Sequence, residues 1–157
     1  MRKLIGLGIM FIDNNPIEEE IPVHLYKKIM IARKKFKDKG ITKSGYNKFQ
    51  NFAYYELKDI IPEAIEICLE LDLATRFTYE NNNYTLKIYD LENKEKTEFT
   101  MPGKDLPNEG NINNQLQNLG KIQTYIRRYL YMQFLDITEN DVVDAEKPKK
   151  NFKYPVS

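Results

Sequence analysis

Apolar side chains recur at nearly helical intervals in two segments of the first half of the chain. Residues 23–39 follow this pattern, lysines fill most of the remaining circumference, and Gly40 marks its end. Residues 56–71 keep the same period, with Pro62 inside the segment. Because proline lacks an amide N–H and clashes with the preceding turn, we expect either a kink at Pro62 or a second helix that starts there.

Residues 74–101 change to a strand pattern. The segments ATRFTYE, NYTLKIYDL and KTEFTMP are rich in Thr, Tyr, Phe and Ile, and turn residues separate them at 81–83 and 92–94. In the second segment Tyr84, Leu86 and Ile88 alternate with more polar positions, so one face of the sheet should be buried and the other wet. The pattern predicts a three-stranded antiparallel meander.

A loop over residues 102–114 leads into a long predicted helix, residues 115–135. On a helical wheel its apolar stripe consists of Leu119, Ile122, Ile126, Leu130 and Ile137, with Tyr129 and Phe134 at the edges. The opposite face carries Gln117, Lys121, Thr124, Arg128 and Tyr131, and Arg127 lies on the shoulder. Since the stripe is complete without them, we expect Lys121, Arg127 and Arg128 to be surplus to folding. The element order indicates an α+β fold with helices packed on the meander.

Residues 40–55, GITKSGYNKFQNFAYY, combine breakers with aromatic and basic residues and predict a loop or irregular hairpin. Lysines such as Lys43 and Lys48 can neutralise phosphates, and rings such as Tyr46, Phe49 and Tyr54 can receive nucleobases. A second interpretation is that the rings only cover the core. The polar face of the long helix is open to the same two interpretations, a solvated surface or a phosphate-binding one.

Charge along the chain is segregated although the net charge of the 157 residues is only +1. The nine basic residues from Lys27 to Lys48 are accompanied by one acid, Asp38. Acids concentrate before this segment, at residues 18–20, and after the long helix, at residues 136–146. This distribution predicts one basic and one acidic patch. The composition also excludes several kinds of site. One histidine and one cysteine rule out a disulfide within the chain, a Cys/His zinc cluster and multi-histidine metal sites, and no P-loop motif is present.

Three segments set the expected domain organisation. Residues 1–22 begin with two basic residues and an apolar run that is too short to span a bilayer. No small-residue cleavage site follows, as a signal peptide would require. We therefore expect an N-terminal extension or strand, or an over-extended gene start with Met10 as the initiator. Residues 23–146 form the predicted domain, and residues 147–157 a flexible basic tail.

The acids Asp136, Glu139, Asp141 and Asp144 follow the long helix closely enough to suggest a second function, a Mg²⁺-dependent nuclease. The alternative interpretation is a solvated acidic loop. Cleavage of labelled DNA that is lost in Asp141→Ala would favour the nuclease.

Three stretches of the sequence resemble a known family. They are KFQNFAYYELKDIIPEAIEICLELDL (48–73), the meander ending in TEFTMPG, and QLQNLGKIQTYIRRYLYMQFLDITENDVVDA (115–145). Together they resemble the Erf (essential recombination function) family of phage single-strand annealing proteins, within the wider Rad52-like superfamily. The motif from Thr124 to Tyr129 is the most specific part. Asn140, Val142 and Val143 dilute the acidic run of the family, and the chain ends soon after it.

The resemblance implies a β-β-β-α core that assembles into rings or filaments, with single-stranded DNA in a basic groove. It implies annealing without ATP, cofactor or catalytic residue, in the cytoplasm of a bacterial host, with no membrane role. A single-strand binding protein or an exonuclease are the implied protein partners. The paired basic contacts of the family match Arg127 and Arg128. We expect Lys121, Lys43 and Lys48 to complete the phosphate contacts, and Tyr46, Phe49 and Tyr54 to guide bases. An oligomerising scaffold without nucleic acid is the third hypothesis.

Overall fold

A computed structural model describes residues 21–103 and 111–139 of the protein. The elements are α1 (Val23–Asp38), β1 (Gly45–Asn47), β2 (Phe52–Tyr54), α2 (Leu57–Glu70), β3 (Leu73–Glu80), β4 (Asn83–Asp90), β5 (Lys96–Pro102) and α3 (Ile112–Leu135). The predicted α+β class is confirmed. Within the described ranges, no helix is both long and apolar enough to cross a membrane. The expectations for residues 1–20 and for the tail lie outside the described residues.

The predicted meander is present as an antiparallel sheet in the order β3-β4-β5. Its register aligns Phe77 with Leu86 and Leu86 with Phe99. The first turn has two residues, Asn81 and Asn82, both at positive φ, as expected for a tight hairpin whose twist matches that of the strands. The middle strand buries Tyr84, Leu86 and Ile88, which confirms the predicted alternation.

The second predicted helix forms as one element, α2, that runs through Pro62. Neither a separate first turn nor a new start at Pro62 divides this helix. Its beginning is held by Asp59, whose Oδ2 accepts the backbone N–H of Glu56 at 2.9 Å and that of Ser44 at 3.1 Å. The Ser44 hydroxyl donates to the same oxygen at 2.8 Å. These bonds tie α2 to the residue just before β1.

The long helix α3 begins at Ile112, three residues before the predicted start, because Asn111 caps it by accepting the N–H of Asn114 at 3.0 Å. The predicted stripe is buried or half-buried, but Tyr131, predicted on the outer face, is also buried. Its hydroxyl lies 2.9 Å from Thr75 Oγ1. The prediction failed because α3 packs against the sheet and against α1 and α2, so its C-terminal half is covered on more than one side.

The core fills the space between the sheet and the three helices. Its largest fully buried side chains are Phe134, Leu25, Ile60, Ile67, Leu86, Ile88, Leu130 and Asp90. Cys68 belongs to this core, and burial raises the pKa of its thiol to about 11. The thiol therefore stays protonated at neutral pH and is a poor nucleophile.

The predicted basic patch over residues 27–48 does not form as a continuous surface, because the fold brings acids from other elements to its lysines. Lys28 pairs with Asp90 and Glu92, Lys35 with Glu70, and Lys39 with Glu63 and Glu66. Arg33 donates to the carbonyl of Phe134 at 3.0 Å. Four of the nine basic residues therefore hold α1 and its C-terminal end to neighbouring elements.

Asp90 carries the only fully buried carboxylate among the described residues. Burial alone would raise the pKa of Asp90, but the Lys28 ammonium at 2.8 Å and the side chain and backbone N–H groups of Asn93 outweigh it and hold the pKa well below its usual range. A carboxyl whose pKa is lower folded than unfolded stabilises the fold above about pH 4 and loses that contribution as the pH falls further.

We therefore expect Asp90→Asn to destabilise the protein by about 2 kcal/mol at pH 7, because Lys28 loses its buried partner. Urea denaturation at pH 7 and pH 3 measures the effect. The gap between wild type and variant should narrow at pH 3, where the wild-type carboxylate contributes less. An equal difference in unfolding free energy at pH 7 and pH 3 would contradict the stabilising role assigned to the ionised Asp90 carboxylate.

Candidate nucleic-acid interface

A groove of about 1050 Å³ lies between the β1–β2 hairpin and the middle of α3. It brings together residues that are far apart in the chain, because the hairpin precedes α2 and α3 follows the sheet. Six of the eight predicted site residues line it: Tyr46, Lys48, Phe49, Tyr54, Lys121 and Arg128. The prediction that the basic aromatic segment and the long helix form one surface fits this geometry.

The hairpin wall is braced by its own polar side chains. Asn47 Oδ1 accepts the N–H groups of Phe49 at 3.0 Å and Gln50 at 3.2 Å, and the Tyr46 hydroxyl donates to Asn51 Oδ1. Asn51 adopts positive φ, which asparagine tolerates better than most residues. The result is a tip that leaves the Phe49 ring fully exposed at 101%. An apolar ring held out in water is available to bind another molecule.

The absence of a side chain at Gly45 makes room for the ring of Tyr54 on the paired strand. Gly45 pairs with Tyr54, and a Cβ at Gly45 would clash with the Tyr54 ring. A larger residue at position 45 would push this ring out of place. The ring of Tyr54 lies over the guanidinium of Arg128, so Gly45 controls how closely the hairpin meets α3.

The helix wall repeats at helical spacing. Lys121, Tyr125 and Tyr129 lie four residues apart, and Arg128 shares their side of α3. Tyr125 is 55% exposed and its ring centroid lies 4.6 Å from that of Tyr129. Burial and the neighbouring Tyr125 hydroxyl raise the pKa of Tyr129, so its hydroxyl stays neutral at physiological pH. These two tyrosines were not predicted as site residues, although their spacing from Lys121 indicates a common face.

Arg128 lines the groove and also contacts residues that hold the fold together. The expectation that it is surplus to folding is therefore corrected. Its side chain is only 12% exposed. The guanidinium lies over the rings of Tyr54, Tyr129 and Tyr125, at 4.9, 4.9 and 5.7 Å, and donates to the Tyr55 carbonyl at 3.0 Å. The β1–β2 hairpin covers the face of α3 that carries Arg128. The helical periodicity of the sequence does not show this contact, because the hairpin belongs to another part of the chain.

An acidic residue, Glu139, also lines the groove. Its Oε1 accepts the N–H of Tyr55 at 2.8 Å, and its Oε2 lies 3.8 Å from Arg128 Nη1. Like Arg128, it is 12% exposed. The positive charge of Arg128 is therefore already compensated inside the protein. Lys48 and Lys121 line the groove, are exposed and form no ion pair within the described ranges.

Two predicted site residues lie elsewhere among the described residues. Arg127 projects about 100° around the helix from Arg128 and its guanidinium lies 5.8 Å from the rings of Phe77 and Tyr131. Its buried Nε has no hydrogen-bond partner in the described part of the chain. Lys43 lies over the Tyr55 ring at 5.1 Å. The structure thus separates the arginine pair that the sequence places side by side.

The acids of the nuclease hypothesis do not converge as far as the structure describes them. Asp136 is exposed and lies 3.9 Å from Arg33 Nη1, whereas Glu139 points into the groove. In residues 21–103 and 111–139, no three His, Cys, Asp or Glu residues are placed to share a metal ion. Asp141 and Asp144 lie outside the described residues.

Comparison with known proteins gives one match. A family model described as the ERF superfamily matches residues 25–155, which includes both walls of the groove. No curated protein and no solved structure gave a significant match. The match covers most of the chain and agrees with the resemblance carried by the Thr124–Tyr129 motif, so the chain belongs to the ERF superfamily.

Proposed function

We propose that the protein binds single-stranded DNA in the groove between the hairpin and α3 and anneals complementary strands without ATP, in phage or prophage recombination. The observation that carries the proposal is the joining of exposed cations and exposed aromatic rings on one concave surface. Single-strand binding sites combine positive charge along the backbone with rings on which bases stack. Membership of the ERF superfamily, known for recombination and annealing, supports this function.

The physical basis of annealing requires no bond to be made or broken. Lys48 and Lys121 would neutralise phosphates and release counterions, so binding should weaken as salt rises. Neutralised strands repel one another less, and base pairing then supplies the driving force. No nucleotide-hydrolysing or metal-bound group is needed for this reaction, so the protein acts as an annealing factor rather than an enzyme.

Assembly into a ring or filament is part of the proposal. Large apolar side chains remain exposed on three helices, among them Met30, Leu69, Ile112 and Leu116. Exposed apolar groups of this kind are suited to contacts between copies of a chain. An oligomer would join successive grooves into a path longer than one protomer offers. A single-strand binding protein and an exonuclease remain proposed partners.

Annealing of two labelled complementary oligonucleotides, with EDTA and without ATP, tests the function. We expect the protein to accelerate pairing, and electron microscopy of the same sample to show rings or filaments on DNA. Retention of no single-stranded oligonucleotide at low salt would contradict DNA binding and favour the scaffold hypothesis. Cleavage that appears only when Mg²⁺ is restored would favour the nuclease.

A further inference from the structure

We propose that copies of the chain assemble head to tail through their sheets, with the free edge of β5 in one protomer paired in parallel with the free edge of β3 in the next. This inference rests on the proposed function, because it specifies the contact by which the proposed ring or filament is built. A contact between two different surfaces of one chain repeats from copy to copy. It therefore generates a ring or a filament rather than a closed dimer.

The β5 edge of the sheet presents unpaired backbone groups. The N–H of Asp90 donates to the carbonyl of Glu95 at 2.9 Å, which marks these two residues as a hydrogen-bonded pair. Such pairs alternate along an antiparallel ladder, so the N–H and C=O groups of Lys96, Glu98 and Thr100 point away from β4. In residues 21–103 and 111–139, no other backbone group bonds to them.

The β3 edge has the same property. The N–H of Leu91 donates to the carbonyl of Asp72 at 2.9 Å, and the same alternation turns the backbone groups of Thr75, Phe77 and Tyr79 away from β4. They too have no backbone partner in the described part of the chain. The register of both strands against β4 is continuous, without a bulge. Edge strands of this kind are templates for pairing with a further strand.

The direction and charge of the two edges fit each other. Both strands pair antiparallel with β4, so β3 and β5 run in the same direction and can pair in parallel between copies. With Glu98 of one copy beside Arg76 of the next, the backbone groups of Glu98 meet those of Thr75 and Phe77. Glu98 and Arg76 are exposed and form no ion pair within the described ranges. The register therefore joins two opposite charges that have no partner inside the protomer.

The same register continues the apolar rows of the core face. Leu86 is fully buried in the middle strand, whereas its neighbours Phe77 and Phe99 at the two edges are only half-buried. Tyr79 is 51% exposed and Met101 is half-buried at the ends of the next row. The proposed pairing places Phe99 beside Phe77 of the next copy and Met101 beside Tyr79. Apolar neighbours across strands stabilise a sheet, so the contact covers side chains that the protomer leaves partly open.

A proline at the β5 edge tests the backbone part of the contact. Thr100→Pro removes an N–H that points away from β4, so the ladder within the protomer keeps its hydrogen bonds. Size-exclusion chromatography with light scattering, without DNA, should show an oligomer for the wild type. The variant should approach the 18.6 kDa of one chain. Thr100→Ala, which keeps the N–H, should assemble like the wild type, and circular dichroism checks the fold of each variant.

A charge exchange tests the register. Glu98→Arg or Arg76→Glu places like charges side by side in every contact, and each should raise the protein concentration at half-assembly about fivefold or more at low salt. The two changes together restore opposite charges and should restore assembly. Lys27→Glu is the matched control, because it reverses an exposed charge on α1. It should leave assembly unchanged.

Three outcomes would overturn the inference. The first is a wild-type protein that remains a monomer, and if that monomer still anneals DNA the proposed function stands without this contact. The second is a folded Thr100→Pro variant that assembles like the wild type. The third is Arg76→Glu without effect, which would indicate that two β5 edges pair with each other. Assembly that responds to the variants as expected supports the contact even if the oligomer retains no DNA, a result that would refute only the proposed function.

Discussion

Replacing Arg128 with alanine is expected to destabilise the protein by about 3 kcal/mol, in addition to any effect on DNA binding. Removing one partner of a buried ion pair leaves the other charge unpaired, which typically costs about 3–5 kcal/mol. The 12% exposure of Arg128 and Glu139 places this site toward the lower end. The Tyr55 carbonyl also loses its donor, and three tyrosine rings lose the cation between them. Urea denaturation measures the change.

A double-mutant cycle with Glu139→Ala isolates the ionic part of this effect. If the carboxylate is stabilised by Arg128, the double variant should be more stable than the sum of the single changes predicts, by about 1 kcal/mol. Arg128→Lys keeps the charge but lacks the planar fork that contacts several rings at once, so an intermediate loss is expected. Additive effects within about 0.4 kcal/mol would show that the two side chains are not coupled.

This result changes how the arginine pair should be tested. From the sequence, alanine at both Arg127 and Arg128 is expected to abolish DNA binding without unfolding the protein. The contacts of Arg128 show that such a variant cannot separate the two effects. Arg127 is also held between two rings, on another side of α3. Its role in DNA binding stays a prediction, and substitutions at exposed lysines test the groove more cleanly.

The double variant Lys48→Ala, Lys121→Ala is expected to lower the affinity for single-stranded DNA about tenfold at low salt while leaving stability nearly unchanged. Both lysines are exposed, and within the described residues neither forms an ion pair, so their removal leaves no unpaired acid there. Two lost phosphate contacts should also reduce the slope of log affinity against log salt by about 1.4 in magnitude. Anisotropy titrations at several salt concentrations measure both quantities.

A matched control is available on α1. Lys27 and Lys37 are exposed, have no ion pair within the described ranges and do not line the groove. Lys27→Ala, Lys37→Ala removes the same net charge and should leave the salt slope nearly unchanged. Equal losses in the two double variants would show that binding follows net charge alone and would contradict the assignment of the groove.

Much of the candidate site could be predicted because many of its residues lie close together in the sequence. The segment from Lys43 to Tyr55 contains its aromatic and basic residues in one short stretch, and the structure places most of them on the hairpin wall. Tyr125 and Tyr129 are not among the predicted site residues, because tyrosines beside an apolar stripe are more often core residues. In the sequence Glu139 is only one member of an acidic cluster, since its approach to the groove depends on the chain turning back after α3.

The sequence by itself determined the local structure of this protein. Periods of two and about 3.6 residues marked the strands and helices, and the Asn-rich turn marked the hairpin between β3 and β4, because side-chain direction repeats within an element. The helical period also identified the stripe centred on Ile126. These features depend on neighbours only a few residues away.

Only the tertiary structure decided which of the remaining faces are covered. Tyr131 is buried and Arg128 is enclosed because α3 meets the sheet, two helices and the hairpin, whereas a helical wheel identifies only the most apolar face. Lys28 and Lys35 of α1 pair with acids of other elements, the farthest of them 64 residues away in the chain. Charges and rings interact through space, so their partners are set by the packing of whole elements.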